Sequence, residues 1–173
     1  MWYKILLSII VIAFISIIQI TVLGSLGNYF SSFNLLLAVL VISLFLVDFN
    51  WVIYFTIGAG LVLDIYSSLP FGIFMISIFL AISISNFLLF DFFTNRSFYS
   101  VVFVGWSTVL LFNIIFLIST GIVYLLGLSD FYINNDYWLK LVYQVINISI
   151  VLISLFFVIN LFSKKFKPNF IRS

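Results

Sequence analysis

Cysteine, histidine and glutamate are all absent from the 173 residues, and the five acids are all aspartate. Without a thiolate or an imidazole, the chain has neither the usual activated nucleophiles nor the ligands of a soft-metal site. Asp, Ser, Tyr and Lys remain, and no nucleophile and base stand out among them as a pair. No catalytic residue, metal or cofactor is therefore expected, and the chain reads as non-enzymatic. The missing cysteines leave the redox compartment open. Charge is scarce too: 7% of residues are charged, against about a quarter in a soluble domain. A net charge of +2 is too small to suggest nucleic acid as a partner, because binding to phosphates needs many cations.

Hydrocarbon fills the space that charge leaves. Hydrophobic residues make up 65% of the chain and the mean hydropathy is +1.38, which marks an integral membrane protein with the lipid bilayer as its surroundings. Strands of a membrane barrel would alternate apolar and polar residues. The run from Phe71 to Phe90 is apolar or small at nearly every position, so an all-α bundle is expected. At about 20 residues per span, this length allows six or seven crossings with short connections.

The expected organisation is one six-span transmembrane domain over residues 1–163 and a basic tail over 164–173. Span one covers 5–23. It is longer than the core of a cleaved signal peptide and lacks an Ala-x-Ala ending, so it is read as retained. Asp48-Phe49-Asn50 interrupts the next apolar stretch and divides it into spans at 29–47 and 50–66. The rival reading is one long tilted helix that buries Asp48. Pro70 is suited to the first turn of a fourth span at 70–90, where its missing N–H costs nothing. Spans at 98–126 and 137–162 follow, separated by a loop that carries Asp130, Asn134, Asn135 and Asp136.

Six spans place both termini on one side. With that side cytoplasmic, Lys4, Arg96, Lys164, Lys165, Lys167 and Arg172 are all inside and only Lys140 lies near the outer face, in keeping with the positive-inside tendency. Five spans would separate Lys4 from the basic tail.

Within the spans, polar and small residues deserve separate reading, because apolar contact alone gives no net drive between helices in lipid. Thr56, Gly60 and Asp64 recur at steps of four on one helix, and Ser77, Ala81 and Ser85 do so on the next. Such faces are suited to packing against each other in a hairpin. Gln144, Asn147 and Ser154 form a polar stripe on the last helix, with Asn113 and Asn86 adding amides. Interhelical hydrogen bonding and the lining of a substrate channel both fit that stripe. Asp64 also has two readings: a carboxylate facing water near the headgroups with Ser67 and Ser68 as neighbours, or a group with a specific binding role. At the bilayer centre a charge costs on the order of 2.5–3.5 kcal/mol, and less toward either surface.

The stretch Gly60-Leu-Val-Leu-Asp64-Ile-Tyr-Ser67-Ser-Leu-Pro-Phe-Gly72-Ile resembles the central signature of the rod shape-determining protein MreD family. In that signature an Asp follows a Gly-containing apolar helix, and a Ser/Gly-rich turn leads to a second Gly opening the next helix. Length, hydrophobicity and the basic tail are similar as well. The chain departs from the pattern at Ser68, where the family often has Gly, and at Phe33-Asn34, where a Pro is frequent.

The resemblance implies a component of the bacterial inner membrane that binds MreC and, through it, works with MreB, RodA and the transpeptidase partner of RodA in cell elongation. It also implies a fold similar to the substrate-binding component of energy-coupling factor transporters. A small solute-binding subunit of such a transporter is accordingly the alternative function. Gly60, Asp64, Ser67, Pro70 and Gly72 are the candidate packing or partner-contact residues. Gly60 is expected to allow close helix approach, Asp64 to bond backbone or partner groups, and Pro70 with Gly72 to fix the hairpin.

Overall fold

An apolar chain in lipid has no water to satisfy its amides, so they must bond within the segment, and this chain does so as helices. The structure, a computed structural model, is described for residues 14–23, 34–92, 98–127 and 136–163. Every regular element among these residues is helical. The first helix, α1, is described over 14–23 and ends in a π-helical turn, Gln19–Leu23. There follow α2 (Leu35–Leu46), α3 (Phe49–Tyr66), α4 (Ile73–Phe92), α5 (Phe98–Leu125) and α6 (Asp136–Ser163). α3, α4, α5 and α6 each contain a stretch long and apolar enough to cross a membrane. The chain is thus an all-α, multi-pass membrane protein. The early half of the first expected span, the start of the second at 29–33 and the tail at 164–173 lie outside the described residues.

Two extended residues, Val47 and Asp48, separate α2 from α3. Asp48 is exposed, which rules out the single long helix with a buried carboxylate. α2 begins at Leu35 because Asn34 caps it: the Asn34 side chain accepts the Leu37 N–H at 3.2 Å. Gln19 reinforces the same end from α1, its Oε1 accepting the Leu36 N–H at 2.8 Å while its Nε2 donates to Asn34 Oδ1 at 3.3 Å.

At twelve residues α2 is too short to cross the hydrocarbon unaided, yet it forms the centre of the bundle. Eight of its residues are buried, from Leu36 to Phe45, and it touches α3, α4, α5 and α6. Around it, close approach and polar bonds do what hydrophobic drive cannot do in lipid. At Gly105 on α5 a Cβ would collide with the side-chain tip of Leu152 on α6, so the leucine packs directly over the glycine. Trp106 Nε1 donates to Ser149 Oγ at 2.7 Å, and Thr108 Oγ1 donates to Ser85 Oγ at 2.7 Å.

The fourth helix starts later than the sequence suggests. α4 opens at Ile73, so Pro70 lies in the connection before the helix and not in its first turn. Gly72 has a φ of +101°, a backbone conformation that breaks regular helix and favours glycine. Its carbonyl accepts the Ile76 N–H at 2.9 Å, which makes Gly72 the cap position of α4. The fifth and sixth helices run over Phe98–Leu125 and Asp136–Ser163, the stretches in which spans are expected at 98–126 and 137–162.

Candidate functional site

A helix that starts at glycine has no cap side chain, and the N–H groups of its first turn need acceptors from elsewhere. In α4 these come from α3. Asp64 Oδ1 accepts the Phe74 N–H at 2.9 Å and Oδ2 accepts the Met75 N–H at 3.0 Å. Phe74 and Met75 occupy the second and third positions of the helix, whose N–H groups a local Ser, Asp or Asn would ordinarily satisfy. The carboxylate of the preceding helix stands in for the side chain that Gly72 lacks.

Electrostatics favour this placement. The N-terminus of α4 carries the positive end of a helix dipole, worth about 0.3–1 kcal/mol to an anion and up to ~2 kcal/mol where partly buried. Each hydrogen bond to a charged group adds about 1.5–3 kcal/mol. Two such bonds with the dipole match or exceed the penalty of about 2.5–3.5 kcal/mol for a carboxylate at mid-bilayer. Asp64 is 3% exposed, so it does not face water as one of the sequence readings had it. Nor do Ser67 and Ser68 bond its carboxylate. The Ser67 hydroxyl and N–H instead donate to the Asp64 carbonyl at 3.2 and 3.3 Å, closing the C-terminus of α3.

The remaining residues of the stretch serve the same junction. A Cβ on Gly60 would lie 2.5 Å from Met75 Cα and 3.0 Å from Met75 Cβ. Glycine at 60 is therefore what allows α3 and α4 to come close enough for the Asp64 bonds. Phe74 then packs its ring on Phe116 of α5, with centroids 5.1 Å apart. The structure brings Gly60, Asp64, Ser67 and Gly72 into one hairpin, with Pro70 half-buried in its connection.

Both expected small-residue faces are buried: Thr56, Gly60 and Asp64 on α3, and Ser77, Ala81 and Ser85 on α4. Their hydroxyls do not bond one another across the hairpin. Thr56 and Ser77 turn their hydroxyls back onto their own helices, toward the Val52 and Ile73 carbonyls. Ser85 accepts from Thr108 of α5. The last-helix stripe divides similarly. Gln144 Oε1 accepts from Asn113 Nδ2 at 2.8 Å, whereas Ser154 is exposed and donates to the Val151 carbonyl of its own helix.

Asn113 is the hub of a second polar junction. Its Nδ2 also donates to the Val109 carbonyl, and its Oδ1 accepts the Tyr137 hydroxyl at 2.9 Å. Sequence reasoning missed this role of Tyr137, and likewise the capping by Gln19. The absence of a capping side chain at Gly72, with an acid eight residues upstream, is the signal by which the Asp64 contact was findable. Among the described residues no cluster of three or more acids suits a metal ion. Comparison of the chain with protein-family models, with curated proteins and with solved structures finds no match.

Proposed function

We propose that this chain is a six-span, non-enzymatic scaffold of the bacterial inner membrane, of the MreD type, with both termini cytoplasmic. In this reading it binds MreC and, through MreC, helps MreB, RodA and the transpeptidase partner of RodA to organise peptidoglycan synthesis and cell shape. The observation that carries the reading is how Asp64 is used. A carboxylate that serves catalysis or captures a solute must be free to meet its substrate. Here both oxygens are turned into the hairpin, onto the Phe74 and Met75 N–H groups. Gly60, Ser67 and Gly72, the other residues shared with the MreD signature, serve the same junction. A stretch used in this way gives a stiff pair of helices, which suits a protein that holds others in position. The charge distribution supports the orientation, since all cations except Lys140 fall on the cytoplasmic side of a six-span arrangement.

The test is to express the full chain with the MreC of the same cell and purify it through a tag in mild detergent. Stoichiometric co-elution of MreC is expected, together with loss of rod shape on depletion of the chain. A folded, monodisperse chain that leaves MreC behind and is thermally stabilised by a vitamin would overturn the proposal in favour of a solute-binding subunit.

A further inference from the structure

α6 is the least covered of the long helices. Only 11% of its most apolar window is buried, against 33%, 39% and 44% in α3, α4 and α5. It also carries more polar groups than so exposed a helix should, because polar side chains in a span ordinarily turn toward protein. Some of these groups are accounted for: Tyr137 and Gln144 bond to Asn113, and Ser149 bonds to Trp106. Lys140, Asn147 and Ser154 lie instead along another edge of the helix. They are seven residues apart, a spacing that returns to nearly the same side every two turns with a drift of about 20° per repeat. Lys140 and Ser154 are exposed and Asn147 is half-buried. The Asn147 amide has no hydrogen-bond partner among the described residues, although water cannot serve it in hydrocarbon.

We propose that this edge is the interface of a two-fold homodimer, in which Asn147 pairs with Asn147 of a second copy. Two features point to a second copy over a different helix. A primary amide is both donor and acceptor, so two of them related by a two-fold axis satisfy each other. An axis along the membrane normal also sets every residue at the depth of its own counterpart, so Asn147 meets Asn147 and Ser154 meets Ser154 with no matched sequence needed elsewhere. A seven-residue repeat is the pattern that keeps such a seam facing its partner. Lys140, near the outer end of α6, extends its ammonium to the headgroups and leaves only its stem in the seam. The inference is independent of the MreC reading.

The absence of cysteine makes the test direct, since single cysteines can be placed in the full chain and oxidised in native membranes. Ser154→Cys keeps Asn147 intact. Ile153→Cys sits at almost the same depth but about 100° round the helix. Ser154→Cys is expected to give ~10-fold more disulfide-linked dimer than Ile153→Cys, because the bond forms only where Cα atoms approach within about 7 Å. Adding Asn147→Leu to Ser154→Cys should lower the yield about threefold, the effect of losing one average interhelical hydrogen bond. Equal yields from the two cysteines, a yield indifferent to Asn147→Leu, or an adduct of Ser154→Cys with a protein of different mass would each overturn the proposal.

Discussion

Asp64 reaches across the hairpin to Met75, whose N–H it accepts at 3.0 Å. That distance depends on the glycine one turn earlier, because any Cβ at position 60 would press on the Met75 backbone. Polar bonding and close packing here are one arrangement seen from two sides. The carboxylate needs the helices close, and the helices stay close partly because the carboxylate holds the start of α4.

Replacing Asp64, which is 3% exposed, with Ala leaves the half-buried Phe74 and Met75 N–H groups without their acceptors. Each buried, unsatisfied donor costs about 1–3 kcal/mol. The variant should lose about 2–5 kcal/mol of stability in reversible unfolding from mixed detergent micelles. Asp64→Asn keeps one acceptor oxygen and should cost roughly half as much. Equal stability of wild type and Asp64→Ala would show that the cap does not hold the hairpin.

Two glycines on α3 make a paired comparison. A Cβ at Gly60 meets Met75, whereas a Cβ at Gly58 meets nothing within 4 Å. Gly60→Ala should therefore destabilise by about 1–3 kcal/mol through forced separation of the helices. Gly58→Ala should be neutral or stabilising by up to ~1 kcal/mol through helix propensity. Melting curves of the two variants in the same detergent decide the point, and identical shifts would contradict it.

Most of the fold was legible in the sequence because lipid imposes a simple rule: a long apolar run becomes a helix. That rule anticipates helices where α5 and α6 lie, and the polar Asp48 marks the break between α2 and α3. It could not place the start of α4, since the rule that puts proline in a first turn lost to the positive φ of Gly72. Hydrophobicity alone is also silent on where Asp64 points; the signal for that is the uncapped Gly72 eight residues on. Step-of-four spacing shows which side chains share a face but not which neighbour that face meets. The spacing marks Ser85 as part of a buried face, for example, but does not show that its hydroxyl meets Thr108 of α5. The Tyr137–Asn113 bond joins residues 24 apart in sequence, a separation that no local pattern reports.

Gly72 and Pro70 differ in how strictly their positions constrain the residue. At a φ of +101°, a side chain at 72 is strained by about 1–3 kcal/mol, so Gly72→Ala should destabilise by that amount and shift the start of α4. Pro70 lies outside the helix, and its main contribution is a stiffer unfolded chain. Pro70→Ala should cost no more than about 1 kcal/mol. A larger loss at Pro70 than at Gly72 would place the constraint of the turn on the wrong residue.

The Asn113 junction provides a quantitative test of how much polar bonding between helices contributes to this bundle. Tyr137 OH donates to Asn113 Oδ1 at 2.9 Å, and Asn113 Nδ2 donates to Gln144 Oε1 at 2.8 Å. Bonds of this kind in membranes average about 0.6 kcal/mol and reach about 1.7 kcal/mol at most, because the separated helices also find partners. Asn113 is buried, and both of its amide hydrogens and its oxygen are engaged, which puts it toward the upper end of that range. A double-mutant cycle of Tyr137→Phe with Asn113→Leu should give a coupling of about 1 kcal/mol. Gln144→Leu in the Asn113→Leu background should cost almost nothing further, because its partner has already gone. A coupling near zero in the first cycle would mean that the Tyr137 bond adds nothing to the association of α5 and α6, leaving it to the Trp106–Ser149 and Asn113–Gln144 bonds and to packing.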